Sequence, residues 1–132
     1  MNVVHMNIGS IIMGYENDFP LCKKAGETLD IFMVSYDYRV VSVHKTPEKV
    51  LDILQQSTPH MYITVAGRSN ALSGMVDFNT TKPVIACPVY SDAFSGADIF
   101  STLCMPSGSS IITVLEPEAA ALAAVKILAL ND

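Results

Sequence analysis

"MYITVAGRSNALSGMVDF", Met61 to Phe78, passes from an almost unbroken apolar stretch, through a polar loop that follows a glycine, into a helical pattern. Met61–Gly67 reads as a strand covered on both faces, because it lacks the polar alternation of a half-solvated strand. Ala71–Phe78 reads as a short helix. A covered strand that runs straight into a helix is half of a βα unit, and such units build parallel sheets flanked by helices.

The same alternation recurs in both directions. Upstream, "IGSIIMG" (Ile8–Gly14) and "VSYDYRVVSV" (Val34–Val43) read as strands. Between them "NDFPLCKKAGETLDIF" (Asn17–Phe32) reads as a helix, with Asn17 or Asp18 as cap, Pro20 in the first turn and a stripe of Leu21, Ala25, Leu29 and Phe32. "TPEKVLDILQQ" (Thr46–Gln56) has a clear helix start, with Thr46 as cap and Pro47 at the first position. Downstream, "KPVIACP" (Lys82–Pro88) and "SSIITVL" (Ser109–Leu115) read as strands, and "GADIFSTLC" (Gly96–Cys104) and "EPEAAALAAVKILAL" (Glu116–Leu130) as helices. Five βα units predict one domain over residues 1–132, a three-layer α/β/α sandwich with a parallel, flavodoxin/Rossmann-like sheet of about five strands.

Composition agrees with a covered sheet. Of the 132 residues, 50% are hydrophobic and only 16% charged, too apolar for a small monomer with its large relative surface. A homo-oligomer is expected. No stretch reaches the roughly 18 apolar residues of a membrane span, and "MNVVHMN" lacks the basic and apolar regions of a leader, so a cytoplasmic protein is expected. Cys22, Cys87 and Cys104 are odd in number and show no metal-ligand spacing; they read as reduced, buried thiols. The net charge of −5 argues against nucleic acid as partner, yet leaves room for a small phosphorylated ligand held at one local site.

Sheets of this class bind ligands beyond the carboxyl ends of their strands, so the loops that follow strands are the places to look. "MGYEND" (Met13–Asp18) offers Gly14 for a tight turn and a helix N-terminus for an anion. "SVHKTP" (Ser42–Pro47) places a hydroxyl, the imidazole of His44 and the ammonium of Lys45 before a helix; histidine moves protons near neutral pH, and lysine is a point charge for phosphate. "AGRSN" (Ala66–Asn70) places Arg68, one of two arginines in the chain, beside Gly67, Ser69 and Asn70. Arginine grips carboxylate or phosphate with two parallel bonds. Each loop also admits a plain reading as a capped turn.

Taken together and in order, these blocks resemble the small carboxylase of purine biosynthesis that acts on 5-aminoimidazole ribonucleotide (AIR) or its N-carboxylated form. The resemblance runs from about Ile11 to Leu130. It is carried by "MGYEND", "RVVSVHKTP", "ITVAGRSNALSGMVD" with "KPVIACP", and "GADIFSTLCMPSG" with "TVLEPEAAALAA". One class of the family reads S-A-H-R-T-P and G-A-G-G-A-A-H-L-P-G at the second and third blocks. The other reads S-A-H-K and A-G-R-S-N there. "SVHKTP" and "AGRSNALSG" are similar to the second class, which carboxylates AIR directly with carbon dioxide.

The resemblance implies His44 as the proton-transfer group. It implies that Gly14 and Asp18 line the nucleotide site, Asp18 accepting from ribose hydroxyls. Ser42 and Lys45 would lie near the phosphate or reacting carboxylate, and Gly67, Arg68, Ser69 and Asn70 would form the loop that receives an anion. Met105, Pro106, Ser107 and Gly108 match a segment near the site, reached across a subunit boundary. It further implies no metal or organic cofactor, a ribonucleotide and carbon dioxide as partners, and a tetramer or octamer. Three departures stand out. Tyr15-Glu16-Asn17 replaces small hydroxyl residues of the usual G-S-x-S-D; Cys104 stands where relatives tend to carry arginine; and the usual further C-terminal helix is lacking. Two alternatives stay open beside the carboxylase: the mutase of the first class, which Lys45 and Arg68 disfavour, and a paralogue with another nucleotide ligand or lost activity, for which the first departure leaves room.

Overall fold

The computed structural model describes residues 7–56 and 59–131; the stretch 1–6, on which the expectation about a leader rests, lies outside them. The chain forms β1 (Asn7–Met13), α1 (Phe19–Ile31), β2 (Ser35–Val40), α2 (Pro47–Gln56), β3 (Met61–Gly67), α3 (Ala71–Phe78), β4 (Val84–Val89), α4 (Phe100–Leu103), β5 (Ile112–Thr113) and α5 (Pro117–Leu128). All strand pairs are parallel, in the order β2-β1-β3-β4-β5. This is the expected doubly wound sheet. No helix among the described residues is long and apolar enough to cross a membrane.

Period-two alternation in the covered strands divides the core into two layers. Met61, Ile63 and Val65 of β3 join Ile11 and Met13 of β1 and Ile85 and Cys87 of β4 on one face. There they meet Cys22, Ala25 and Leu29 of α1 and Ala120, Ala121 and Ala124 of α5. Tyr62 and Ala66 join Ile12 and Val84 on the other face, against Val50 of α2 and Leu72 and Val76 of α3. Each fully buried Leu, Ile or Val contributes on the order of 1.5–3 kcal/mol. The alanines of α5 let that helix lie close to α1, which it contacts directly.

Several boundaries differ from expectation, each for a visible reason. The buried stripe of α1 is Cys22, Ala25, Gly26 and Leu29, while Phe32 is left partly in solvent because the helix ends at Ile31 and Met33 turns the chain at φ 57°. Asp18 occupies the N-cap position of α1 without making a side-chain cap bond. Thr46 donates its hydroxyl back to the carbonyl of Ser42. β5 pairs only at Ile112 and Thr113, since Ser109 and Ser110 ahead of it are tied to the carboxylate of Asp77 instead of a neighbouring strand. Of the thiols, Cys22 and Cys87 are buried as expected; Cys104 is exposed, because α4 ends at Leu103 and the chain turns outward.

Candidate active site

At the carboxyl ends of β1 to β4 lies a cavity of about 590 Å³, within the size range of ligand pockets. It spans the β1/β3 boundary, where the strand order reverses direction and doubly wound sheets open a crevice. Gly14, Tyr15 and Asp18 line it from the loop after β1; Ser42, Val43, His44 and Lys45 from that after β2; Gly67 at the end of β3 with Arg68 and Ser69 beyond it; and Val89 at the end of β4 with Ser91 and Asp98 beyond it. Ala66 and Leu72 supply apolar floor. The first three loops each lead into a helix, so free N–H groups and the positive ends of helix dipoles border the cavity.

The loop after β2 is a compact hydrogen-bonded turn. The main-chain N–H of Lys45 donates to the Ser42 hydroxyl at 3.2 Å, and the N–H of Thr46 donates to the Ser42 carbonyl at 2.8 Å. His44 and Lys45 are thereby carried outward at the tip, both exposed. Asp18, freed from capping α1, is half-buried against the cavity, and that burial pushes its carboxyl above the ordinary value.

Arg68 has a left-handed backbone, φ 56°, which is uncommon for a residue with a side chain. Its guanidinium lies over the Phe94 ring, 5.4 Å from the centroid, a cation–π contact. Gly67 earns its place sterically: it pairs with Val89 across the β3–β4 ladder, and a Cβ there would be driven into the Val89 carbonyl oxygen. Gly14 is less constrained than its loop suggested. Its φ is not positive, and a Cβ would meet only Ala66 at 3.8 Å and Val41 at 4.0 Å, ordinary contacts.

Asn70 is the one expected site residue that the cavity does not include. It is buried, and its amide is consumed by structure: Oδ1 accepts from the N–H of Ser73 at 3.2 Å and from its hydroxyl at 3.0 Å, and Nδ2 donates to Thr102 at 2.8 Å. It is the N-cap of α3. Within one chain the Met105–Gly108 segment also stays outside the cavity; Met105 packs on Gly74 and Gly108 near Phe78, both on α3. Conversely, Ser91 and Asp98 were not foreseen. Ser91 follows β4 and so fits the rule of carboxyl ends. Asp98 carries no local signal, for it reaches the cavity by accepting the N–H groups of Ser91 and Arg68. Among the described residues no group of three or more His, Cys, Asp or Glu side chains converges to hold a metal ion.

Comparison with known proteins follows the same lines. The family model described as AIR carboxylase matches residues 9–132. The chain is 55% identical to a phosphoribosylaminoimidazole carboxylase of Archaeoglobus fulgidus over 124 residues, covering 92% of this chain and 69% of that protein. It is 41% identical to an N5-carboxyaminoimidazole ribonucleotide mutase of Methanocaldococcus jannaschii, covering 92% and 79%. The crystal structure of Treponema denticola PurE superimposes with a TM-score of 0.90 at 46% identity, covering 95% of this chain and 82% of that one. Sequence blocks, sheet order and relatives therefore agree: the chain belongs to the AIR carboxylase family.

Proposed function

We propose that the protein carboxylates AIR with carbon dioxide to give 4-carboxy-5-aminoimidazole ribonucleotide. The observation that carries this is the meeting, in one cavity, of His44 and Lys45 from the loop after β2 with Arg68 from the loop after β3. AIR is an electron-rich aminoimidazole. Its ring carbon attacks carbon dioxide as an enamine would, the exocyclic nitrogen supplying the electron pair. The new C–C bond leaves a hydrogen on a tetrahedral carbon. His44 takes that proton, and the C–H electrons return to the ring; in reverse it protonates the ring before carbon dioxide departs. Lys45 and Arg68 hold the phosphate and the growing carboxylate, and Asp18 accepts from the ribose hydroxyls. Positioning in a shaped cavity and charge stabilisation supply the remainder.

The relative named as a mutase supports a second reading, in which the carboxyl group arrives already attached to the substrate nitrogen. The residue pattern Ser42–His44–Lys45 and Arg68–Ser69–Asn70 favours the first. We place the enzyme in the cytoplasm as a tetramer or octamer; Ile31, Met33 and Leu130, all more than three-quarters exposed, are side chains an assembly would cover, and light scattering at micromolar concentration checks it.

The deciding experiment supplies purified protein with AIR and carbon dioxide, and separately with the N-carboxylated substrate. Turnover with AIR and carbon dioxide, abolished by His44→Asn while nucleotide binding persists, is expected. Turnover with the N-carboxylated substrate alone establishes the mutase; turnover with neither removes both readings.

A further inference from the structure

Asp98 stands where two loops distant in sequence come together. Its carboxylate accepts the main-chain N–H of Ser91, at 2.9 and 3.0 Å to its two oxygens, and that of Arg68 at 3.2 Å. Ser91 in turn starts the short 3-10 turn Asp92–Phe94. Its hydroxyl accepts from the N–H of Ala93 at 3.1 Å, and its carbonyl accepts from the N–H of Phe94 at 3.1 Å. The Phe94 ring lies against the Arg68 guanidinium. The circuit is closed: Asp98 to the Arg68 backbone, the Arg68 side chain to Phe94, Phe94 through its turn to Ser91, and Ser91 back to Asp98.

A second bond from the same segment completes the hold on Arg68. The Ser101 hydroxyl donates to the Arg68 carbonyl and accepts the N–H of Asn70 at 2.9 Å. Both the N–H and the carbonyl of Arg68 are thus engaged by residues 98–101. This accounts for the left-handed φ, a conformation a residue with a side chain keeps only where its surroundings hold it there. It also accounts for a carboxylate at the wall of a cavity suited to anions. The charge of Asp98 is directed at two N–H donors and employed in fixing the loop, and the cation is delivered on the same loop.

We propose that Asp98 is a positioning residue for Arg68: by joining the Arg68 backbone to the turn that carries Phe94, it aims the guanidinium into the cavity. The proposal rests on the cavity being the ribonucleotide site.

A double-mutant cycle tests it, with AIR kinetics and one ligand-free readout. Asp98→Ala raises the KM for AIR about tenfold, the size expected for loss of one well-placed charged contact, and leaves kcat nearly unchanged. It adds nothing further in an Arg68→Ala background, because residues that act through one another are not additive. Asp98→Asn, which keeps an acceptor oxygen, restores part of the loss. In the free wild-type protein the Phe94 ring current shifts the Arg68 Hδ and Hε resonances upfield, and Asp98→Ala abolishes that shift. An undiminished Arg68 shift in Asp98→Ala, or an equal rise in KM in both backgrounds, overturns the proposal. An Arg68→Ala variant with unchanged KM refutes instead the ribonucleotide assignment, while the resonance shift still decides whether Asp98 orders Arg68. If Asp98→Ala does not fold, Asp98→Asn, which leaves one acceptor oxygen where the carboxylate served the N–H groups of both Ser91 and Arg68, carries the same measurement; an undiminished Arg68 shift there overturns the proposal.

Discussion

The side-chain nitrogen of Asn70 lies 2.8 Å from the Thr102 hydroxyl, and both groups are buried. Through Ser73, the same asparagine continues to Thr64 in the middle of β3, whose hydroxyl is 2.7 Å from that of Ser73. Four polar side chains thus form one chain of hydrogen bonds joining β3, α3 and α4. Asn70→Ala removes the N-cap and strands buried hydroxyls. A loss of about 2–3 kcal/mol is expected, seen as a fall in Tm of roughly 5–10 °C. Asn70→Asp keeps the cap acceptor but not the N–H that reaches Thr102, and should fall between the two in thermal unfolding.

The two glycines of the cavity should respond in opposite ways. Gly67→Ala forces a methyl group into the Val89 carbonyl, a backbone atom that cannot step aside, and should cost roughly 1–3 kcal/mol or more. Gly14→Ala meets only ordinary contacts and should change stability by less than about 1 kcal/mol. Urea unfolding of both variants gives the comparison directly.

Thiol chemistry separates the cysteines. Burial, assisted by the nearby charges of Asp18 and Cys87, pushes the Cys22 thiol up to about 12; burial and then Glu118 push Cys87 up to about 11. Only the thiolate attacks, so a disulfide reagent at neutral pH should titrate Cys104 alone in the folded protein, and all three after unfolding. The same shifts set an alkaline limit. In the folded state these thiols hold their protons above the pH at which unfolded thiols lose them, so the unfolded state binds fewer protons and stability falls with rising pH. The stability is intact below the ordinary thiol range and is lost from about pH 9 through 11–12; Cys22→Ala and Cys87→Ala should flatten that limb of the curve.

In its proposed binding role, Asp18 trades stability for binding. Burial raises its carboxyl, so the folded state holds the proton more tightly than the unfolded chain does. The sign is therefore destabilising as pH rises through its raised range. Asp18→Asn should be at least as stable as the parent at neutral pH. On the proposed ribose contact it should also weaken AIR binding about tenfold, because a charged two-oxygen acceptor becomes a neutral amide whose nitrogen can only donate. Calorimetric titration alongside thermal unfolding reads both effects.

Much of this was legible in the chain because its signals are local. β3 and α3 are expected at their observed bounds, since an apolar run ending in glycine and the helical pattern after a polar loop each announce themselves within a few residues. The loops holding Gly14, Asp18, Ser42, His44, Lys45, Gly67, Arg68 and Ser69 followed from the rule of carboxyl ends. Asn70, which the resemblance places in the anion-receiving loop, also carries the local signal of its structural role: an asparagine directly before Ala71 is a good N-cap. Asp98 could not have been found that way. Its partner Arg68 is thirty residues off, and no periodicity connects an aspartate in one short helical turn to the amide of a distant loop. The expected span of β5 exceeds its pairing at Ile112 and Thr113, because Ser109 and Ser110 ahead of it bond to the carboxylate of Asp77, a distant contact with no local signal.

The central place of β1 has a consequence for how the chain folds. β1 precedes both its neighbours in the chain, with Gly9 pairing with Tyr36 on one side and Met61 on the other. Parallel neighbours are reached only through a crossover, so both loops must close before β1 is paired on its two edges, and such long-range closures are slow. Until Met61–Gly67 docks, Ile11, Ile12 and Met13 present an apolar ribbon with an open hydrogen-bonding edge, the kind of surface on which folding intermediates aggregate. The strand around which the cavity is organised is the one a growing or refolding chain must shelter longest.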